Sequence, residues 1–262
     1  MARTGIRNLE TRWAFVSAVL RLADDWSGKT MTAAGRAGML VAAANKALGA
    51  YNVPAVQLEF TPQSNRFGAE FGHDAWKISL DRRAFEGSSA PSNTDMAELA
   101  DGVYHESRHA EQWFLVARFC LSNNMTVDDL AQRGLKLTVA QAAAKYPVKE
   151  DSAEEELATK LAKCLMTPDG VDRILETQRD LDVLSEGSKA TKKEKELALE
   201  RLVAHGYLKK GETSVEKARK AAHRAYSSQF AEVDAWDTGR LVRELFLQHA
   251  KKPLPPIPKH RL

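Results

Sequence analysis

Two histidines four residues apart, with a glutamate directly after the first, constrain this chain of 262 residues more than any other feature. The string reads His105-Glu106-Ser107-Arg108-His109. It lies in a segment, residues 95–121, whose composition predicts a long helix capped by Asn93 or Thr94. Because residues four apart share one face of a helix, the string predicts two imidazoles on the same face, one turn apart.

Such a pair of imidazoles is typical of a zinc site. Two ring nitrogens one turn apart can bind a single Zn²⁺, and the carboxylate of Glu106 projects toward the same place. Bound zinc lowers the pKa of water toward about 7, and a neighbouring carboxylate can take the proton during attack on a carbonyl. We therefore predict His105 and His109 as zinc ligands and Glu106 as the general base.

Zinc catalysis needs a third protein ligand, and a later segment offers one. Residues 229–239 have a helical pattern and contain Glu232, whose carboxylate can bind the metal. Acids one or two turns away on such a helix can orient a ligating imidazole. Glu232 is therefore the predicted third ligand.

The two motifs together resemble the zincin clan of metallopeptidases, specifically the gluzincins, in which a glutamate is the third ligand. The fuller strings, residues 105–112 and 226–239, also resemble metallopeptidase domains attached to bacterial polymorphic toxins and contractile-injection effectors. The resemblance covers about a quarter of the chain. It implies a zinc-dependent peptidase acting on a protein or peptide, with a secretion-system carrier or an inhibitor protein as further partners.

The same resemblance implies the ligands and the base named above, and it makes Asp234 or Asp237 a candidate acid behind the ligands. The chain also departs from the family pattern. Asp234 stands where the small gluzincins usually have glutamate, and the charged segment at about 150–220 has no counterpart.

Four other residues are candidates for supporting roles. Tyr226 could donate a hydrogen bond to the oxyanion of a tetrahedral intermediate, or it could be a half-buried tyrosine with its hydroxyl in water. Arg108 could hold Glu232 or a neighbouring carboxylate through a bidentate pair, or it could be exposed. Trp76 and Ile78 lie in a strand-like segment, residues 69–80, that we expect to bind extended substrate by main-chain pairing.

Hydrophobic periodicity predicts an α+β fold that is predominantly helical, zincin-like, with a small sheet beside the His-Glu-x-x-His helix. Helical spacing covers residues 8–25 and 30–48, alternation marks strands at 55–60 and 76–80, and charged helices follow residue 124. We predict one domain, 1–262, with a helical insertion at about 150–220 and a Pro-rich tail at 251–262.

Composition and charge limit which partners and which cellular compartments are expected for this chain. The 38 Lys and Arg residues are interleaved with 35 Asp and Glu residues, which argues against a nucleic-acid surface. Residues 13–20 are too short to span a bilayer, so no membrane insertion is expected. The two cysteines, Cys120 and Cys164, indicate a reducing compartment. We expect synthesis in the cytoplasm and, if the resemblance to effectors holds, export or injection without a signal peptide.

Two other functions fit the same residues. A binding protein could retain a zincin scaffold and use the charged helices at 150–220 and the Pro-rich tail as its working surface. A zinc hydrolase could act on an amide that is not a peptide bond, since such a site polarises any carbonyl. The sequence alone does not separate these alternatives from a peptidase.

Overall fold

The computed structural model describes residues 5–27, 31–62, 66–166, 171–185, 188–227 and 229–250, and at 171–176, 178 and 223–227 the backbone alone. This part of the chain is mostly helical with one small three-stranded sheet, which confirms the predicted α+β, predominantly helical class. No helix in it is both long and apolar enough to cross a membrane. The Pro-rich tail lies outside the described residues.

The elements follow in chain order, and two short 3-10 turns at Gly5–Arg7 and Arg82–Phe85 accompany them. They are α1 Leu9–Asp24, α2 Ala33–Gly49, β1 Gln57–Phe60, β2 Ala69–Gly72, β3 Lys77–Leu80, α3 Asn93–Ser122, α4 Val127–Gln132, α5 Leu137–Ala143, α6 Ala153–Leu165, α7 Val171–Leu184, α8 Lys192–Ala204, α9 Val215–Ser227 and α10 Phe230–His249.

The chain divides into two units. The first joins Met1–Glu155 to Ala235–Leu262, and the second is Glu156–Asp234. The second unit and the predicted insertion at about 150–220 therefore share residues 156–220. Helix α10 begins in the second unit and continues into the first.

Helix α3 begins where a side chain caps its first turn. The hydroxyl of Ser92 accepts a hydrogen bond from the backbone N–H of Asp95, so the cap is Ser92 and the predicted caps Asn93 and Thr94 are wrong. The error is one residue, because adjacent polar residues have similar capping preferences. The predicted long helix itself is confirmed.

The sheet has the order β1-β3-β2, with β1 parallel and β2 antiparallel to β3. Strand β3 is therefore central and has a neighbour on both sides. Trp76, just before it, and Ile78, within it, are almost fully buried. The structure gives no support to the predicted substrate-binding role of these two residues, because β3 has no open edge and both side chains belong to the core.

The first unit is packed around α3, and its N-terminal turn binds the back of that helix. The backbone N–H of Ile6 donates to Oε1 of Glu111 at 3.0 Å, and the hydroxyl of Tyr104 donates to the carbonyl of Ile6 at 2.8 Å. Arg108 forms an ion pair with Glu111, and both side chains are buried. By the helical period, Glu111 is on the side of α3 away from the histidines, and Arg108 lies between the two.

The second unit has a core of its own among α7, α8 and α9. Leu181, Leu202, Leu208 and Ala218 form a buried cluster. The guanidinium of Arg201 donates to both oxygens of Asp180, a fully buried carboxylate. These helices therefore carry their charges around an apolar core, and one face of each is not solvated.

Candidate metal centre

Helix α3 brings His105, Glu106 and His109 together on one face. Ligand atoms of the three side chains lie within 4.8 Å of one another. Both histidines are buried, at 5% and 8% exposure, and Glu106 is partly exposed. The grouping predicted from the spacing is therefore present in the fold.

The two imidazoles face each other through their Nε2 atoms, which are 3.0 Å apart. Nδ1 of His109 lies 2.9 Å from Oε1 of Gln112. An amide oxygen can only accept a hydrogen bond, so the proton of His109 is on Nδ1, and its Nε2 carries the lone pair. Gln112 therefore leaves the Nε2 of His109 ready to bind a metal.

The spacing of the nitrogens fits one zinc ion. Two nitrogens bound tetrahedrally at about 2.05 Å from zinc would lie about 3.3 Å apart. The 3.0 Å between the Nε2 atoms of His105 and His109 is close to that value. Imidazole nitrogens with a carboxylate nearby are also a donor set that zinc prefers.

Glu106 is held by the edge strand β2. The backbone N–H of Phe71 donates to its Oε2 at 2.9 Å, and its Oε1 lies 3.8 Å from Nε2 of His105. Strand β2 packs against α3 one turn before Glu106, where a Cβ on Gly102 would be in van der Waals contact with the backbone nitrogen of Ala69, at 3.6 Å. The carboxylate is thus fixed beside the histidines by one oxygen.

Helix α10 packs against α3 beside His105, whereas β2 packs beside Glu106. The ring of Trp236 lies 4.4 Å from the ring of His105, and Trp236 is 51% exposed. Gly239 lies where α10 is closest to α3, because a Cβ on it would be 2.2 Å from Oδ1 of Asp101 and 3.2 Å from the Cβ of His105. Burial raises the pKa of Asp101 to about 6, Glu98 adds to the effect, and two arginines oppose it.

Gly239→Ala is expected to lower the free energy of unfolding by about 2 kcal/mol, because the added Cβ overlaps the backbone oxygen and the carboxylate of Asp101. Gly38 of α2 is the matched control, since a Cβ there meets nothing within 4 Å. Gly38→Ala should stabilise the protein by about 0.5 to 1 kcal/mol through helix propensity. Urea denaturation measures both, and equal effects would contradict this close approach of the helices.

The structure describes the surroundings of Arg108 and Asp237, two residues predicted to lie around the ligands. Arg108 is buried and pairs with Glu111, which agrees with its predicted pairing to a neighbouring carboxylate and excludes the exposed alternative. Asp237 is about half exposed, and Arg240 donates to it at 3.4 Å. These contacts give no support to its predicted place behind the ligands, which stays a prediction.

The remaining predicted residues belong to the second unit. Glu232 and Asp234 are buried in the first turns of α10. Tyr226 is in α9, but its side chain is not among those described. The roles predicted for these three residues stay predictions.

Several residues of the site are absent from the sequence-based assignment. They are Gln112, Asp101, Gly102 and the backbone N–H of Phe71. Gln112 could have been found from its spacing, three residues after His109. The other three depend on which strand and which helix lie beside α3, and no local pattern carries that information.

The described residues thus define a class of site, a His and Glu cluster on a His-Glu-x-x-His helix that could hold a metal ion. No family model, no curated protein and no solved structure matches this chain.

Proposed function

We propose that this protein is a zinc-dependent metallopeptidase in which His105 and His109 bind the metal and Glu106 is the general base. The observation that carries the proposal is the 3.0 Å spacing of the two Nε2 atoms, with the Glu106 carboxylate beside them. A His-Glu-x-x-His helix needs this geometry for metal-assisted hydrolysis. The resemblance to zincins supports the same function.

The proposal takes Glu232 as the third protein ligand. Glu232 is the acid at which the later motif matches the gluzincin pattern, so the resemblance supports this choice. Tyr226 stays a candidate for stabilising the oxyanion.

The reaction divides its tasks among these side chains. Zinc, when bound, supplies a Lewis acid that polarises the substrate carbonyl. Glu106 takes a proton from the attacking water and gives it to the amine nitrogen as the C–N bond breaks. The N–H of Phe71 keeps Oε2 of Glu106 in place throughout, leaving Oε1 to carry the proton.

A peptide substrate is favoured by the edge strand. Among the described strands β2 pairs only with β3, and it lies along α3 beside Glu106. The N–H of Phe71 points away from β3, toward the unpaired edge of β2. In an antiparallel pair the N–H and the carbonyl of one residue point to the same side, so the carbonyl of Phe71 is on this edge as well. Because Glu106 accepts from this N–H, an extended peptide would donate to the carbonyl of Phe71 and continue along the edge, and a small amide lacks the length to do so. Delivery as a bacterial toxin or effector is a further proposal that depends only on the family resemblance.

Metal content tests the site directly. Protein purified without an affinity tag should contain about one zinc per chain by mass spectrometry, the number that a single three-ligand site binds. Glu232→Ala should lose most of this zinc, because it removes a ligand. Asp237→Ala on the same helix should retain it, because Asp237 pairs with Arg240 at the surface.

The loaded protein is then screened for cleavage of unstructured peptides. Absence of zinc after reconstitution would refute the metal site and favour a binding protein. One zinc per chain with cleavage of small amides and none of peptides would instead favour the non-peptide hydrolase.

A further inference from the structure

The two histidines differ in the side chain next to the Nδ1 atom of the ring. Nδ1 of His109 lies 2.9 Å from Oε1 of Gln112, on the turn that follows it. Nε2 of His105 faces His109, so Nδ1 of His105 is on the other edge of its ring. A ligating imidazole keeps its proton on the nitrogen that does not bind metal, and that proton normally has an acceptor. His105 therefore needs an acceptor on the side away from His109.

Asp101 is placed to be that acceptor. It lies one helical turn before His105 on α3, so the two side chains are neighbours on the helix surface. A Cβ built on Gly239 would lie 2.2 Å from Oδ1 of Asp101 and 3.2 Å from Cβ of His105. Both side chains therefore border the small space that Gly239 leaves between α3 and α10.

The carboxylate of Asp101 has an unused acceptor atom. Its Oδ1 is buried and, within the described part of the chain, accepts no hydrogen bond. A buried oxygen of this kind costs free energy unless a donor reaches it. The proton on a metal-bound imidazole would be such a donor, and its partial positive charge would favour the ionised carboxylate.

We infer that Asp101 is a positioning residue for the metal centre, whose carboxylate accepts a hydrogen bond from Nδ1 of His105 when that ring binds metal through Nε2. The inference rests on the proposed metal site. It makes the two ligands a symmetrical pair, with Asp101 orienting His105 from the preceding turn and Gln112 orienting His109 from the following turn. No step of hydrolysis passes through Asp101 itself.

Nuclear magnetic resonance of the ¹⁵N-labelled full chain, with zinc added alone, tests this hydrogen bond. In the wild type, the Nδ1 protons of both ligand histidines should be protected from exchange with water. Asp101→Ala should expose that of His105 and weaken zinc binding about 10- to 100-fold, and His109 should be unchanged. Asp101→Asn should restore most of the protection, because an amide oxygen still accepts.

Gln112→Leu is the matched control, since it should expose the Nδ1 proton of His109 and leave that of His105 protected. Asp101→Asn removes a buried charge, so we expect it to fold at least as well as the wild type. If zinc binds and Asp101→Ala changes neither the His105 signal nor the affinity, the inference is wrong and the metal site stands. If the wild type binds no zinc, the proposed function is wrong as well.

Discussion

In Glu106→Gln, kcat/KM for peptide hydrolysis should fall about a thousandfold, while the zinc content stays at one per chain. The amide cannot take a proton from the attacking water, so general-base catalysis is lost. Its oxygen can still accept the hydrogen bond from the N–H of Phe71, which leaves β2 and α3 in place. The variant therefore removes the general base and keeps the local structure, whereas Glu106→Ala would remove both.

The comparison for this variant is Glu244→Gln on α10. Glu244 is half exposed and pairs with Arg240 at 2.8 Å. It should retain wild-type turnover and zinc. A Glu106→Gln protein with turnover near that of Glu244→Gln would refute the role of Glu106 as base. Loss of zinc in Glu106→Gln would instead indicate that its carboxylate is a ligand.

Local spacing was enough to predict the centre of this site. The four-residue interval between His105 and His109 determines a shared helical face, whatever the rest of the fold does. The same argument covers the long helix α3, whose predicted range 95–121 lies inside Asn93–Ser122. These predictions needed only neighbours along the chain, and they hold in the structure.

Pairing between distant segments could not be predicted in this way. Alternation marked Trp76 and Ile78 as part of a strand, but it does not say whether that strand is central or at an edge. The order β1-β3-β2 makes it central, and β1 and β2 are the edge strands. The structure therefore gives no support to main-chain pairing of substrate at Trp76 and Ile78.

The packing face of helix α10 could not be predicted from the sequence either. Its motif contains Trp236, Asp237 and Gly239, and of these only the acid had a role predicted from the sequence. In the structure, Trp236 and Gly239 meet α3, and Asp237 pairs with Arg240. Which face of α10 meets α3 depends on tertiary packing. The face that packs contains Trp236 and Gly239, and the charged Asp237 is on another face.

Glu111→Ala is expected to lower the free energy of unfolding by about 3 to 4 kcal/mol, the usual cost of breaking a buried ion pair from one side. The variant removes the carboxylate from Arg108, and it removes the acceptor for the backbone N–H of Ile6. Both groups are buried, so water does not replace the lost partner at low cost. Urea denaturation with zinc absent measures the effect.

The surface pair of Arg240 and Glu244 is the matched control for this variant. It has the helical spacing of four residues, both side chains are half exposed, and Glu244→Ala should leave stability nearly unchanged. Similar results for Glu111→Ala and Glu244→Ala would mean that the N-terminal turn contributes little to the fold.

The N-terminal turn is built around this carboxylate. Gly5 has a φ of 73°, and a Cβ on it would lie 1.9 Å from Oε1 of Glu111, so only glycine allows the turn to close over the side chain. Glu111 lies on the side of α3 opposite to His105 and His109. Glu111→Ala protein that remains folded should therefore bind zinc with wild-type affinity. A large loss of zinc affinity in that folded protein would show that the back of α3 also orients the histidines.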